Sequence, residues 1–393
     1  MNYLKSALAE LTSVIFILRS REIMPLPSYD SATLYYFSGT GNAYSVSQWV
    51  KQVGETYDVT VNLVNIADVD SAYSPHLPPN SLIGFISPTH GFNFPPIMLR
   101  WLWRFPRQRN VKAIIMNTRG GLKIGGVYLP GLSGMAQYFT ALLLWTKGIT
   151  VVGMRPVDLP SNWMSLHPSL SDHTVESMFE KRKTEVINFS HTIFQKGTDY
   201  RALLDIVQDV LLTPIAILYY FIGRFFFAKS FIASDECDGC GQCISQCPVE
   251  AIKEVDGRPY WTFECESCMQ CMTKCPKQAI ETAHGFVAGI IVLCNTLVLY
   301  GLYRLIDVRV MLPFSSTHWT TSLIMLVFES LVQLGCLFLG YDLMHFTLKL
   351  KFFERLVTHT SLTHLPFWGR YQLRKMKFWK AYRFKKARRP AGQ

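Results

Sequence analysis

Between residues 31 and 197, short apolar runs alternate with longer amphipathic stretches. Short apolar runs predict β-strands, and the longer amphipathic stretches between them predict helices. Strands that alternate with helices build a parallel sheet with helices on both faces. The predicted strands are 33–37, 59–64, 82–86, 111–116 and 150–154. Five such strands predict a doubly wound α/β domain, whose ligand site lies at the carboxyl ends of the strands.

Two long apolar segments lie near the end of the chain. Residues 285–303 carry no charge, and a helix of that length, at about 1.5 Å per residue, can cross the hydrocarbon core of a bilayer. Residues 320–341 carry only Glu329. An acid within a span either serves a proton or quinone path or faces the partner helix. The pattern predicts a hairpin of two transmembrane helices over residues 284–345.

Two other segments are apolar or amphipathic but shorter. Residues 210–223 are uncharged, and this length favours an interfacial or connecting helix, although residues 225–228 could extend it past Arg224. Residues 1–20 predict an amphipathic helix, with apolar side chains on one face at Leu4, Leu8, Leu11 and Ile15.

Composition and charge support a membrane location. The chain of 393 residues is 49% hydrophobic and only 17% charged, which is apolar for a soluble protein. Its net charge is +11, and the tail after His345 contains thirteen Lys or Arg residues and one acid, Glu354. Such a tail stays in the cytoplasm by the positive-inside rule. Because two spans return the chain to its starting side, we expect residues 31–283 to face the cytoplasm as well. If residues 210–228 also crossed the membrane, the α/β domain and the tail would lie on opposite sides.

The basic tail also predicts a partner. Basic and aromatic residues alternate from 370 to 384, which suits the headgroup region of an anionic membrane. Nucleic acid is the other partner that such a stretch could bind. Because the tail follows directly after a predicted span, the sequence favours membrane lipid over nucleic acid.

Eight of the ten cysteines form two runs of identical spacing. Each run reads C-x2-C-x2-C-x3-C-P, and the second repeats the first 28 positions later. The runs are Cys237, Cys240, Cys243 and Cys247, then Cys265, Cys268, Cys271 and Cys275. A tight loop with three thiolates can bind three corners of a cubane cluster, and the fourth ligand must come from elsewhere. The spacing predicts two [4Fe-4S] clusters.

Structural zinc and disulfides are the alternatives for cysteines at this density. Paired C-x2-C knuckles also bind zinc, but they usually carry two cysteines per run and no trailing proline. Disulfides would need an oxidising compartment. The spacing favours iron–sulfur clusters over both.

A second motif follows the first predicted strand. Ser38, Gly39, Thr40, Gly41, Asn42 and Ala43 lead from that strand into a helical pattern. Hydroxyls and backbone amides at a helix N-terminus bind phosphate groups. No lysine follows the glycines, which argues against a nucleoside triphosphate loop. Elsewhere these residues would be an ordinary turn, but directly after a strand of an α/β unit they favour a phosphate site.

The two motifs together resemble a known combination. Residues 38–42 look like the FMN phosphate loop of flavodoxins, and the cysteine runs look like those of bacterial two-cluster ferredoxins. In such ferredoxins the fourth cysteine of each run ligates the other cluster. That likeness groups Cys275 with Cys237, Cys240 and Cys243, and it groups Cys247 with the three later cysteines. Residues 31–283 therefore resemble the flavodoxin–ferredoxin fusion proteins of anaerobic prokaryotes.

The resemblance implies a domain order, to which the hydrophobic pattern adds a membrane part. A flavodoxin-like FMN-binding domain is expected at 31–200 and a double-cluster ferredoxin domain at 231–283. The remaining parts are an N-terminal amphipathic segment at 1–30, a connecting helix at 201–230, the hairpin at 284–345 and the basic tail at 346–393. The hairpin and the tail are not implied by the family.

Flavodoxins hold the isoalloxazine ring of FMN between two loops at strand ends. The corresponding residues here are Pro88, Thr89, His90, Gly91 and Phe92 in the first loop and Asn117, Thr118, Gly120 and Gly121 in the second. Flavodoxins often stack a Tyr or Trp on the ring, yet the second loop offers neither. Phe92 or Phe94 could substitute, although either could equally be a packing residue.

The cofactors predict electron transfer. A membrane-anchored iron–sulfur flavoprotein would pass low-potential electrons between FMN, the clusters and a redox partner protein, a quinone or a lipid substrate at the membrane. One alternative is a self-contained flavin-dependent reductase whose substrate lies near residues 161–164, where Trp163 is expected to be exposed. The other is a membrane redox sensor or assembly factor. No G-x-G-x-x-G fingerprint is present, so a nicotinamide nucleotide is not expected to be the direct donor.

Overall fold

The first half of the chain folds around one large sheet. The structure is a computed structural model that describes residues 29–69, 73–75, 77–78, 80–124, 126–305 and 318–369. Its first elements are β1 (Ser31–Tyr36), α1 (Asn42–Glu55), β2 (Thr60–Asn65), β3 (Ser81–Pro88), α2 (Pro96–Arg104), β4 (Lys112–Ile124), β5 (Val127–Leu129), α3 (Ala136–Thr146), β6 (Thr150–Pro160) and α4 (Asp172–Phe194). The predicted amphipathic helix at the start, the connection 306–317 and the basic, aromatic stretch from residue 370 lie outside the described residues.

The sheet has the strand order of a flavodoxin-like fold. Five parallel strands lie in the order β2, β1, β3, β4, β6, and β5 pairs antiparallel with the end of β4. Counted along the parallel strands, this is the doubly wound order 2-1-3-4-5. The five predicted strands are confirmed. The strands β4 and β6 run further than predicted because their pairing continues to Gly121 and Pro160.

Alternate residues of each strand fill two cores, one on each face of the sheet. Leu34, Leu82 and Ile114 pack towards α1 and α4, whereas Tyr35, Ile83 and Ile115 pack towards α2 and α3. This period of two is what a strand imposes on side-chain direction. Both faces are therefore covered, and the carboxyl edge of the sheet is the part left for a ligand.

A bent connecting segment leads from the sheet to the cysteine-rich module. It comprises a short 3₁₀ turn (Arg201–Asp205), α5 (Ile206–Leu211), α6 (Thr213–Leu218), a π-helical turn (Tyr219–Gly223) and α7 (Arg224–Ala228). The module itself comprises β7 (Phe231–Ala233), α8 (Gln242–Ser245), β8 (Ile252–Val255), β9 (Arg258–Trp261), α9 (Gln270–Lys274) and β10 (Ile280–Thr282). The strands form two antiparallel pairs, β7 with β10 and β8 with β9.

The next helices form a hairpin. The first side is α10 (His284–Leu293), a π-helical turn (Cys294–Leu299) and α11 (Tyr300–Leu305), and the second is α12 (His318–Thr347). Within the described residues, His284–Leu302 and Ser322–Thr347 are long and apolar enough to cross a membrane. A third candidate would arise if Arg201–Leu211 and Thr213–Ala228, which are bent by 73° at their junction, formed one span. The two helices touch directly, because the side-chain amide of Gln333 donates to Asn295 Oδ1 over 3.2 Å.

After the hairpin, the chain returns to the modules it left. Helix α13 (Lys351–His359) carries Glu354, which pairs with Arg258 of the cysteine-rich module at 2.6 Å. The backbone N–H of Leu362 donates to His284 Nδ1 at 3.1 Å, and the indole N–H of Trp368 donates to the carbonyl of Met164 at 2.7 Å. Both outer ends of the hairpin therefore lie on the side of the cysteine-rich module.

Candidate functional site

The cysteines surround two cavities, and each cavity takes its fourth cysteine from the other run. Cys237, Cys240, Cys243 and Cys275 line the first, of about 530 Å³. Cys247, Cys265, Cys268 and Cys271 line the second, of about 320 Å³. The structure thus brings the cysteines together in the two sets that the resemblance to ferredoxins paired. That each set holds a [4Fe-4S] cluster remains a prediction, and sets of four thiols around a cavity suit a cubane. We call the cavity lined by Cys237, Cys240, Cys243 and Cys275 cavity I, and the other cavity II.

Backbone geometry repeats between the two halves of the module. The N–H of Ala251 donates to Cys247 Sγ, and the N–H of Ala279 donates to Cys275 Sγ, both over 3.3 Å. Gly239 and Gly241 have positive φ, and so do their counterparts 28 positions later, Ser267 and Met269. Ser267 and Met269 therefore adopt a left-handed backbone at the positions where the first half of the module has glycine. Amides that point at cluster sulfurs stabilise negative charge there and tune the potential.

The thiols in these cavities are buried among one another. Burial, with a smaller contribution from neighbouring cysteines, raises the pKa of Cys243 and of Cys265 to about 12. Near neutral pH these two thiols are therefore protonated when no metal is bound. Iron binding must release those protons, because a thiolate is the ligand.

Cavity II lies directly against the carboxyl edge of the large sheet. A methyl group added to Gly39 would lie 2.1 Å from the carbonyl oxygen of Cys268, so the predicted phosphate loop touches a cysteine of cavity II. The imidazole Nδ1 of His90 lies 3.1 Å from the carbonyl oxygen of Glu266, and burial lowers the pKa of His90 to about 4. As a neutral imidazole, His90 donates this hydrogen bond from the first predicted ring loop.

Glu266 joins cavity II to helix α2. Its carboxylate accepts hydrogen bonds from the backbone N–H of Ile97 at 2.9 Å and from Arg100 Nη2 at 2.5 Å. Burial raises the pKa of Glu266 to about 7, and these two donors limit the rise. A buried carboxyl with two specific donors fixes the orientation of the modules, because moving either module would leave it without partners.

The predicted phosphate loop has two features that suit a phosphate group. The backbone N–H of Gly41 donates to Ser38 Oγ at 3.0 Å, which closes the turn before α1. Thr40 Oγ1 is buried and has no hydrogen-bond partner among the described residues. An orphaned hydroxyl at the start of a helix fits a phosphate oxygen. Asn42, by contrast, donates its side-chain amide to the carbonyl of Pro160 at 3.0 Å, and Ala43 is a buried residue of the first core.

The first ring loop is covered by the connecting segment. The ring of Tyr219 packs on Gly91 so closely that a methyl group there would lie 1.9 Å from the ring. Phe94 is a core residue, and Phe92 is half-buried with a φ of 66°. Neither phenylalanine is therefore placed as an open stacking surface. Tyr219 of the connecting segment covers the first ring loop instead.

Trp163 is not exposed, contrary to the sequence-based expectation. Its ring is half-buried and lies 4.9 Å from Phe227, 5.7 Å from Tyr219 and 5.7 Å from His90, measured between ring centroids. The aromatic side chains next to the ring loop thus come from residues 163 and 219. Sequence reasoning named residues 161–164 as a substrate region but expected Trp163 to be exposed. It missed Tyr219, which lies in the connecting segment and not in a strand-end loop.

The second ring loop is largely strand. Asn117 Nδ2 donates to Thr89 Oγ1 at 2.8 Å, and the N–H of Thr89 donates to the carbonyl of Thr118, so the start of this segment does meet the first loop, which begins at Pro88. Gly120 and Gly121, which were expected in a loop, lie in β4 and pair with β6. Methyl groups added to them would meet Ser161 at 3.1 Å and Asp158 at 2.7 Å, so these glycines serve strand packing.

Comparisons with known proteins place one part of the chain. Residues 236–280 match the family model of the 4Fe-4S dicluster domain. The cysteine-rich module is therefore similar to a dicluster domain, and we call it the dicluster domain below; it follows a flavodoxin-like sheet. No curated protein matches the chain.

Solved structures resemble the first half. Flavodoxin 1 from Bacillus cereus is 16% identical, with 40% of this chain and 97% of that chain covered and a TM-score of 0.26. A flavodoxin from the domain Archaea is 15% identical, with 42% and 98% covered and a TM-score of 0.26. Rubredoxin oxygen:oxidoreductase from Desulfovibrio gigas is 13% identical, with 42% of this chain but only 37% of that chain covered and a TM-score of 0.27. Because these TM-scores are low, the fold assignment rests on the strand order and not on the similarity.

Proposed function

We propose that the protein is a membrane-anchored iron–sulfur flavoprotein that passes low-potential electrons between FMN, two [4Fe-4S] clusters and a partner at the membrane. The observation that carries the proposal is the contact between Cys268 of cavity II and Gly39 of the phosphate loop. A cluster in cavity II would lie against the edge of the sheet where flavodoxin-like folds bind their cofactor. Electron transfer needs this proximity, and the protein supplies it by fixed packing.

In this proposal the flavin phosphate binds at Ser38, Thr40 and the N-terminus of α1. FMN can exchange electrons in pairs or singly, which suits an exchange with one-electron clusters. Asn117 joins the ends of β4 and β3 beside it through Thr89, and His90 joins the first ring loop to the cavity II loop through the carbonyl of Glu266. The chain's own contribution is to position the cofactors and to exclude water from the space between them.

Cavity I is the outer site in the same proposal. Cys240 is exposed, and the opening beside Cys237 is lined by Lys351, Glu354 and Arg355 of the segment that follows the hairpin. A redox partner can approach there, whereas the cysteines of cavity II are all buried or half-buried. Electrons would therefore leave or enter the protein at cavity I, next to the membrane-proximal helix α13.

The membrane part of the proposal rests on the hairpin and on charge. Two helices are long and apolar enough to span, and both outer ends of the hairpin return to the dicluster domain. The thirteen basic residues after His345 put that side in the cytoplasm by the positive-inside rule. The basic and aromatic tail would then bind anionic lipid rather than nucleic acid.

Cofactor analysis tests the proposal directly. The full chain, purified without oxygen in detergent, should contain about eight irons and eight sulfides, as two four-iron clusters require, together with one FMN. Paramagnetic resonance of the reduced protein should show the signals of two interacting clusters. A colourless protein that holds zinc would overturn the proposal.

The flavin needs its own test, because Tyr219 covers Gly91. We expect Tyr219→Ala to bind FMN several-fold more tightly, since the variant frees space beside the first ring loop. Phe221→Ala is the control, because Phe221 is an exposed residue of the same turn. Fluorescence titration with FMN measures both affinities. If Tyr219→Ala instead loses FMN, the tyrosine stacks on the ring and our placement of it is wrong.

A further inference from the structure

An apolar groove lies behind the first ring loop. Helices α2 and α3 form two of its walls, and α6 with the following π-helical turn forms the third. Its volume is about 1010 Å³, including the open side. The apolar lining includes Leu99, Trp103, Phe139, Leu143, Ile217 and Phe221. None of the motifs described above lies in this groove.

The open side of the groove belongs to an apolar surface. Trp103 is 72% exposed and Trp145, on the neighbouring helix, is 73% exposed. On the connecting segment, Leu204 and Leu211 are also exposed, at 84% and 72%. Exposed apolar side chains in this number mark a protein or membrane contact.

Continuity with the hairpin identifies that contact as the membrane. The turn Tyr219–Gly223 and helix α7 pack against α12, which contains the second candidate span. The groove is therefore bordered by a segment that lies directly beside a membrane helix. An apolar surface in this position faces the hydrocarbon boundary of the bilayer. A ligand with an apolar tail can enter the groove from the lipid phase.

One side of the groove is polar and leads towards cavity II through Arg100, whose side chain is 44% exposed. Asn93 and Arg100 line this side. Arg100 donates to the carboxylate of Glu266, the residue between Cys265 and the rest of the cavity II loop. Its charge is compensated by that carboxylate, and a guanidinium has five N–H groups to donate. At Arg100 the groove thus offers hydrogen-bond donors whose charge Glu266 balances, which suits a neutral carbonyl group. Arg104 also lines the groove, but its side chain is exposed, so solvent screens its charge.

We propose that this groove binds a quinone with an apolar side chain, with its carbonyl oxygen at Arg100 and its ring among the aromatic side chains of the groove. The aromatic residues Trp103, Phe139 and Tyr220 suit a flat ring. The choice of a redox-active head group rests on the proposed electron-transfer function. It also rests on Arg100, which lines the groove and pairs with Glu266 of the cavity II loop.

Photolabelling tests the proposal on the full chain with its cofactors, in nanodiscs of phosphatidylcholine. The probe is an azido-benzoquinone with a decyl tail. We expect labelled peptides from α2, α3 or the segment 213–221, and we expect unlabelled decyl-benzoquinone to compete. Competition by a decyl phospholipid alone would show a lipid site and overturn the proposal. A crosslink between the groove and residues 1–28 of the same chain would show that the groove holds a segment of this protein, which also overturns it.

A matched pair of substitutions locates the site. Ile217 lines the groove, whereas Ile215, two residues earlier on α6, does not, and both side chains are about half exposed. Ile217→Trp should fill the groove and weaken the apparent affinity for decyl-benzoquinone at least tenfold. Ile215→Trp should leave it unchanged. Equal affinities in the two variants contradict the site.

Failure of this test is distinct from failure of the proposed function. Iron, sulfide and FMN contents do not depend on quinone labelling. A protein that holds both clusters and FMN but shows no labelling in the groove retains the proposed function and loses only the quinone site.

Discussion

At the scale of single residues, Gly39 links the two modules. Its position against the Cys268 carbonyl leaves no room for a side chain, and the obstructing atom is backbone rather than a flexible side chain. The sequence predicted Gly39 as a phosphate-loop residue. It did not predict this second role, because a close approach between residues 39 and 268 is a tertiary contact that no local pattern encodes.

Gly39→Ala tests that second role. We expect the added methyl group to push the phosphate loop away from cavity II, which should lower FMN affinity at least tenfold and change the paramagnetic signal of the cluster in cavity II. Gly126→Ala is the control, because among the described residues no atom beyond its chain neighbours lies within 4 Å of a methyl group added there. Titration with FMN and resonance spectra of the reduced proteins measure the effect. Identical results for the two variants would contradict the contact.

Other residues show which parts of the site a sequence reveals. The cysteine spacing indicated the three-cysteine loops, and the resemblance to ferredoxins implied which cysteine completes each set of four. Tyr219 was not identified, because it reaches the first ring loop from a helical turn that is distant in sequence. Residues 161–164 were named as a substrate region, but the contact of Trp163 with His90 was not predicted. Trp163 looked exposed only because nothing local predicted its contact with Phe227.

At the scale of elements, the strands were predictable and the joints between modules were not. Short apolar runs bounded by polar residues gave β1 to β4 and β6, because burial on both faces of a parallel sheet demands such runs. Gly120 and Gly121 were misplaced because glycine pairs also mark loops, and only the pairing of β4 with β6 distinguishes the two. The contact between α2 and the cavity II loop depends on the ion pair of Arg100 with Glu266, and neither residue belongs to a sequence motif that would predict it.

The ion pair between Arg100 and Glu266 predicts a measurable stability change. Arg100→Ala leaves the buried carboxylate of Glu266 with the Ile97 amide as its remaining donor, and we expect a loss of about 1–3 kcal/mol, reduced from the fully buried case because Arg100 is half exposed. Adding Glu266→Gln should restore at least half of the loss, since an amide is less costly to bury than a charge. Thermal loss of cluster absorbance measures both.

Arg104→Ala is the matched control on the same helix, because Arg104 lies in the last turn of α2 and is exposed. It should unfold at the temperature of the unmodified protein. If Arg100→Ala is as stable as this control, the ion pair does not fasten the two modules.

At the scale of the whole molecule, the structure adds an order to the predicted parts. The flavodoxin-like sheet, cavity II, cavity I and the helix after the hairpin follow one another in space, and the first core continues from the sheet into the dicluster domain through Phe231 and Trp261. The sequence named these parts in chain order. It could not place cavity II nearer the sheet than cavity I, because the crossed cysteine pairing leaves both orientations possible.

The hairpin predicts a topology that fusions can measure. Both outer ends return to the dicluster domain, so the chain end and that domain should share one side of the membrane. In a bacterial host, a fluorescent protein fused after Gln393 should fluoresce, and alkaline phosphatase inserted in the connection 306–317 should be active. The reverse pattern would place the basic tail outside the cytoplasm and contradict the positive-inside assignment.

The central claim is that the cluster in cavity II connects the flavin domain to cavity I. Its most direct test is laser photoreduction of the bound FMN, followed by the absorbance of the clusters, in the unmodified protein, Cys268→Ser and Cys240→Ser. We expect the flavin to reduce the clusters in the unmodified protein and to reduce the remaining cavity II cluster in Cys240→Ser. In Cys268→Ser, the flavin should reduce the cavity I cluster at least tenfold more slowly than in the unmodified protein, although resonance spectra show that this cluster is intact. An unchanged rate in Cys268→Ser would contradict the account.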